Sequence, residues 1–104
     1  MRQAIVKVHN IEAGILTETG DKHFRFDYHE GYKGAPVSLT MPTNTEGGAS
    51  FEYATFPPFF DGVLPEGGQL EGLLRIRKIN RYDYFSQLIA VGEDLVGAVT
   101  VFEK

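Results

Sequence analysis

With 104 residues, 42% hydrophobic and 23% charged, the chain fits one globular domain, residues 1–104, with little room for an active site and its own supporting shell. A formal charge of −4 argues against a surface that is all nucleic-acid footprint, and having no cysteine excludes disulfides, thiol chemistry and thiolate metal sites. The N-terminus, Met1 to Lys7, holds only a short apolar run broken by Lys7 and His9, and does not read as a signal peptide; no apolar run approaches membrane-spanning length, and a cytoplasmic location is expected.

Ala4 to His9 is rich in β-branched residues and reads as a strand. Asn10 to Ala13 reads as a polar connection. Gly14 to Thr19 reads as a second strand closed by a Gly20-Asp21 turn. His23 to Tyr28 alternates polar and aromatic residues strictly, which puts Phe24, Phe26 and Tyr28 on one buried face. The loops are too short for parallel crossovers, so the three strands form an antiparallel meander. Pro36 to Pro42 alternates again, and its flanking prolines predict a short edge strand. Thr43 to Ser50 is polar, glycine-rich and expected to be mobile.

Phe56-Pro57-Pro58-Phe59-Phe60-Asp61-Gly62-Val63-Leu64-Pro65-Glu66-Gly67 follows. Its rings bury roughly 150–250 Å² each and make it a core anchor. The prolines suit a helix start, and Phe59–Leu64 reads as a short helix or 3₁₀ turn. From Gln69 the period becomes helical, with Leu70, Leu73, Leu74 and Ile76 on one side and Glu71, Arg75 and Lys78 facing water. Asn80 reads as a break or cap. Tyr82–Val91 reads as a second helix with Phe85, Leu88 and Ile89 on its inner face, Asp83 near its start and Gly92 as its stop. Gly97–Phe102 is a strand expected to return to the first sheet. The predicted class is α+β: a small antiparallel sheet, a meander plus a returning C-terminal strand, packed with two to three short helices.

Residues that could carry chemistry are sparse. Phosphate-cradling glycine loops and a nucleophile elbow are missing. His9, His23 and His29 have no spacing suited to a metal site, so no metal or cofactor is expected. Asp61 and Glu66 could pair as acid and base across the turn, but the favoured reading makes Asp61 a cap of backbone amides and leaves Glu66 solvated. Arg75, Arg77, Lys78 and Arg81 form a basic cluster placed on the first long helix. It could meet phosphates or an acidic partner, though Glu71 and Asp83 dilute it and a solvated face is the default. Phe59, Phe60, Val63 and Leu64 surround Asp61-Gly62 too closely for one periodic face to bury them all. An exposed apolar remnant there is what a partner would use.

Pro36 to Pro42, Phe59-Phe60-Asp61-Gly62-Val63-Leu64-Pro65-Glu66-Gly67, Tyr84-Phe85-Ser86-Gln87-Leu88, and Asp94-Leu95-Val96-Gly97-Ala98-Val99-Thr100-Val101 stand in an order and spacing that resemble the N-terminal subdomain of HipA-type serine/threonine kinases, the toxins of bacterial toxin–antitoxin modules. The resemblance covers nearly the whole chain. One departure is Gly68, where relatives often carry a bulkier side chain. The resemblance ends where a kinase core would begin. The ATP-binding loop, catalytic Asp and metal-holding Asp/Asn that phosphoryl transfer needs have no counterpart here, so no enzymatic activity is expected.

A free-standing version of this subdomain is similar to HipS, the antitoxin of HipBST modules, which neutralises the shortened kinase HipT; HipB, a helix-turn-helix protein, is the third member. The resemblance therefore implies an antitoxin in a bacterial-persistence setting. It would bind a HipT/HipA-like kinase, join a HipB-like protein in a larger complex, and touch DNA only indirectly. The residues expected to bind the partner are Phe59, Phe60, Asp61, Val63, Leu64, Pro65, Glu66, Gly67, Gly68 and Gln69, seated near the ATP-binding elements. Two other readings stay open: an isolated structural or regulatory subdomain of a HipA-like kinase, and a DNA-contacting accessory of a HipB-containing repressor. Met1 and the Phe102-Glu103-Lys104 close of a strand favour a complete small gene product.

Overall fold

The computed structural model describes residues 2–20, 22–43, 49–95 and 97–104. Five strands form one antiparallel sheet in the order β4-β3-β2-β1-β5: β1 Gln3–Val8, β2 Ile11–Gly20, β3 His23–Tyr28, β4 Ser50–Tyr53 and β5 Val99–Glu103. Three helices, α1 Pro58–Asp61, α2 Gly67–Arg77 and α3 Tyr84–Val91, lie between β4 and β5, with a 3₁₀ turn at Gly92–Asp94. The α+β class, the meander and the returning C-terminal strand are as the sequence predicts.

Alternation sets the sheet's two faces. Ala4, Val6 and Val8 of β1, Phe24, Phe26 and Tyr28 of β3, and Val99 and Val101 of β5 are buried. The other face is half-buried, and Lys7 Nζ lies 4.7 Å from the centre of the Phe102 ring. Phe56, α1 and α3 cover the aromatic face, while α2 buries no residue. Phe56 meets Phe24 edge-on at 5.1 Å, Phe60 meets Phe26 at 6.3 Å, and Phe85 stacks parallel to Phe24 at 6.5 Å between centroids.

The polar connection predicted at Asn10–Ala13 is shorter than read. His9 and Asn10 form the whole turn, with φ of 51° and 66°, and β2 already begins at Ile11. Two positive φ values match the twist of the flanking strands, and asparagine tolerates that region. Ala13 is an extra residue opposite the Val6/Lys7 step, a bulge that brings Gly14 against β3. A Cβ on Gly14 would stand 2.2 Å from the Asp27 carbonyl oxygen.

The edge strand predicted at Pro36–Pro42 is a second correction. This stretch makes only an isolated bridge between Ser38 and Met41. Val37 and Met41 are buried because the Tyr28 hydroxyl anchors the loop: it accepts from Val37 N–H at 2.8 Å and donates to the Met41 carbonyl. Burial pushes the Tyr28 phenol up. The edge position beside β3 belongs instead to β4, a four-residue strand the sequence reading missed. Of the loop expected to be mobile, residues 44–48 lie outside the described residues, as do Asp21 of the predicted turn and Val96.

On α2 no residue is buried: Leu70, Leu73 and Leu74 are half-buried, and Ile76, predicted on the same side, is 78% exposed. The helix ends at Arg77 with Lys78 left-handed at φ 55°, and Asn80 accepts from Tyr82 N–H in the following turn. Asp83 caps α3, which starts at Tyr84 rather than Tyr82. Gly92 closes it for a reason other than handedness. Its φ is −58°, but a Cβ there would sit 2.0 Å from the Val101 carbonyl oxygen of β5.

Two glycine substitutions should therefore move stability in opposite directions. Gly14→Ala should cost about 2–3 kcal/mol by overpacking against fixed backbone. Gly72→Ala, on a helical residue with open space around an added Cβ, should gain about 1 kcal/mol. Each kcal/mol reads as roughly 4–8 °C in a thermal melt for a domain of this size.

Candidate docking site

The Pro57–Gly67 stretch divides into a buried half and a surface half. Pro57 needs no N–H and enters the core, and Pro58 opens α1. Phe60 then points inward with 0% exposure. A one-turn helix cannot turn Phe59, Val63 and Leu64 the same way, and these stay half-buried beside the core. The chain closes through Val63 N–H to the Phe60 carbonyl and Leu64 N–H to the Asp61 carbonyl, both at 3.2 Å. Asp61 thus acts through its main chain: among the described residues its carboxylate makes no hydrogen bond, which replaces the capping role predicted for it. Gly67 opens α2 at φ 58°, a conformation that disfavours any side chain.

The half-exposed residues form one continuous apolar surface. A groove of about 350 Å³ runs between Val8, Pro36, Val37, Phe59, Val63, Leu95 and Ala98. It shares Val63 and Leu95 with a second groove of about 420 Å³, lined by Leu64, Pro65, Gln69, Val91 and Asp94. Of the ten residues predicted to meet a partner, Phe59, Val63, Leu64, Pro65 and Gln69 line this surface. Asp61, Glu66, Gly67 and Gly68 are exposed around it, and Phe60 lies beneath it in the core. Val91, Leu95 and Ala98 were missed, because they come from the α3 end and the approach to β5, and only the tertiary fold brings them to Val63.

The basic cluster does not act as one patch. Arg81 lies beyond the end of α2 and pairs with Glu71 at 2.6 Å. Arg77 lines a groove with Ile89, Ala90, Glu93, Asp94 and Glu103, while Arg75 and Lys78 are exposed. No group of three or more metal-ligating side chains is found among the described residues, and none of their helices is long and apolar enough to cross a membrane. His29 Nε2 instead meets Glu12 Oε2 at 2.5 Å.

The strongest ionic cluster was not foreseen. Arg2 reaches from the start of β1 to Glu18 through two bonds, 2.9 and 2.7 Å, and to Asp83 and the Ser86 hydroxyl at 3.1 and 2.9 Å. Its guanidinium carbon stands 4.9 Å from the Phe85 ring centre. Burial alone would raise the Asp83 pKa, but hydrogen bonds from Arg2, the Ser86 hydroxyl and Ser86 N–H outweigh it and hold the carboxyl below its usual range. The cluster pins α3, and with it one wall of the groove, to the first two strands.

Residues 4–102 match the family described as the HipA N-terminal domain. The chain belongs to that family. A solved structure of the N-terminal domain of HipA toxin is similar over 100% of this chain and 93% of its own, with a TM-score of 0.78 and 27% identity. An uncharacterised Haemophilus influenzae protein is 32% identical over 91 residues, which span 88% of this chain and 82% of that protein. In this HipA N-terminal domain the two apolar grooves combine exposed apolar surface with rigid support, as contact with another protein requires, while a more enclosed pocket of about 420 Å³ lies elsewhere, between Phe24, Phe56, Tyr84 and Phe85.

Asp83→Asn should cost about 1 kcal/mol at neutral pH through loss of a charged cap and its Arg2 pair. The sign of the pH effect follows from a folded-state pKa below the unfolded one. The carboxylate stabilises the fold above the unfolded carboxyl pKa, and that contribution is lost as pH falls through the folded value. Melts of the two proteins should therefore converge once acidification protonates this carboxylate in the folded state.

Proposed function

We propose that this chain is a non-catalytic antitoxin of the HipS kind, which binds a HipA- or HipT-type serine/threonine kinase through the Phe59–Gln69 segment and inhibits it. The observation that carries the reading is the apolar surface around Val63, Leu64 and Leu95, held on a core and open to solvent. A domain that packs against a kinase core in one polypeptide keeps its docking face when it is encoded separately. In trans the contact must offset association entropy, so preorganised apolar anchors are what it needs. α1 supplies that preorganisation, because Phe60 fixes the residues on either side of it.

Inhibition then comes from occupancy or from holding the kinase in an inactive arrangement near its nucleotide-binding elements, with no chemistry from this chain. The work is placed in the bacterial cytoplasm, in a larger complex with a helix-turn-helix partner that makes the DNA contacts. The alternative, a structural or regulatory subdomain of a HipA-like kinase, draws support from the solved HipA N-terminal domain. The Haemophilus influenzae relative favours the free-standing form, since the matched 91 residues already span 82% of it.

Phe60 is the wrong residue for a binding test. Phe60→Ala should cost about 3–5 kcal/mol, a large part of a typical domain's stability of roughly 5–15 kcal/mol. Val63→Ala with Leu64→Ala should instead leave the far-ultraviolet dichroism native, while inhibition of autophosphorylation by a shortened HipA-type kinase weakens about tenfold or more. Undiminished inhibition by the folded double variant would place the docking face elsewhere. ATP hydrolysis by the purified chain alone would remove the antitoxin reading.

A further inference from the structure

The apolar groove has a one-signed border. Asp94 lines it, and Asp61, Glu66 and Glu93 are each the sequence neighbour of a lining residue, Gly62, Pro65 and Asp94 respectively. All four are exposed, and none of them forms an ion pair among the described residues. No lysine or arginine lines this groove or the one joined to it through Val63 and Leu95. Arg77 shares a separate depression with Glu93, Asp94 and Glu103. Arg77 thus faces Glu93 and Asp94 from one side only, and on the Asp61 and Glu66 side no lysine or arginine lines the groove. Like charges gathered on an apolar rim repel one another, and a cationic partner relieves that repulsion.

Resting on the docking reading above, we infer that the partner segment seated in this groove is an apolar stretch flanked by lysine or arginine side chains. Its apolar residues meet Val63, Leu64 and Leu95, and its cations lie over Asp61, Glu66, Glu93 and Asp94. The apolar contact holds the complex. The charges speed association and fix the register, because rim pairs act more on encounter than on residence.

Binding of a shortened HipA-type kinase, measured by surface plasmon resonance at about 50 mM and about 500 mM salt, tests this. Glu66→Gln with Asp94→Asn should weaken low-salt binding about fivefold, chiefly through the association rate, and the difference should vanish at high salt. Glu52→Gln, on β4 at the opposite edge of the sheet from β5, should have little effect. Equal losses from the rim and β4 variants would overturn the inference and leave only attraction to net charge. Tight binding indifferent to salt and to the rim variant would overturn the inference while the docking reading stands. No binding by the folded wild type, with Val63→Ala/Leu64→Ala no different, would remove both.

Discussion

Everything in this fold leans on the aromatic face of β3. Phe24, Phe26 and Tyr28 project from alternate positions of one strand, and each is met by a ring from a different part of the chain. Phe56 and Phe85 close on Phe24, Phe60 on Phe26, and Tyr32 stacks on Tyr28 at 5.7 Å. The chain has no disulfide, and no metal cluster is found among its described residues, so apolar burial must supply most of the driving force. Large rings deliver it in few residues, which suits so small a domain.

The same packing explains why part of the aromatic stretch stays at the surface. Once Pro57 and Phe60 are inside, the short α1 helix leaves Phe59, Val63 and Leu64 at the rim. Val91 and Leu95 arrive from the other side because Gly92 lets the α3 end press onto the Val101 carbonyl of β5. Exposed apolar surface is a liability in a free protein and an asset in a binding one. Here it is held rigidly, since the elements beneath it are anchored through Phe60, Leu88 and the Arg2 cluster. Binding would cost little ordering entropy, which fits a protein that acts by contact.

Arg2 shows how much can hide in a terminal residue. In the sequence it is one arginine ahead of a strand. In the fold it joins Glu18 of β2 to the Asp83 cap of α3 and lies over Phe85. Its partners are 16 and 81 residues away, so no local pattern announces them. The basic residues in and just after α2 show the reverse. Their clustering in sequence looked like a patch, and the fold scatters it, spending Arg81 on Glu71 and turning Arg77 toward acidic neighbours.

Local chemistry alone determined the strands β1, β3 and β5, the short helix after two prolines, and the aspartate cap of α3. Each is a matter of alternation, fixed φ or a side chain bonding its own backbone, and these act within a few residues. Order and spacing of the Phe59–Gly67 and Gly97–Val101 segments also carried the family. Tertiary structure decided the rest. It denied strand geometry to Pro36–Pro42 because the Tyr28 hydroxyl takes its backbone, gave the sheet edge to β4, left Ile76 in water, and assembled the groove from residues that meet only when β5 returns beside β1. Burial and long-range contact are properties of the packed whole, and no window of sequence contains them.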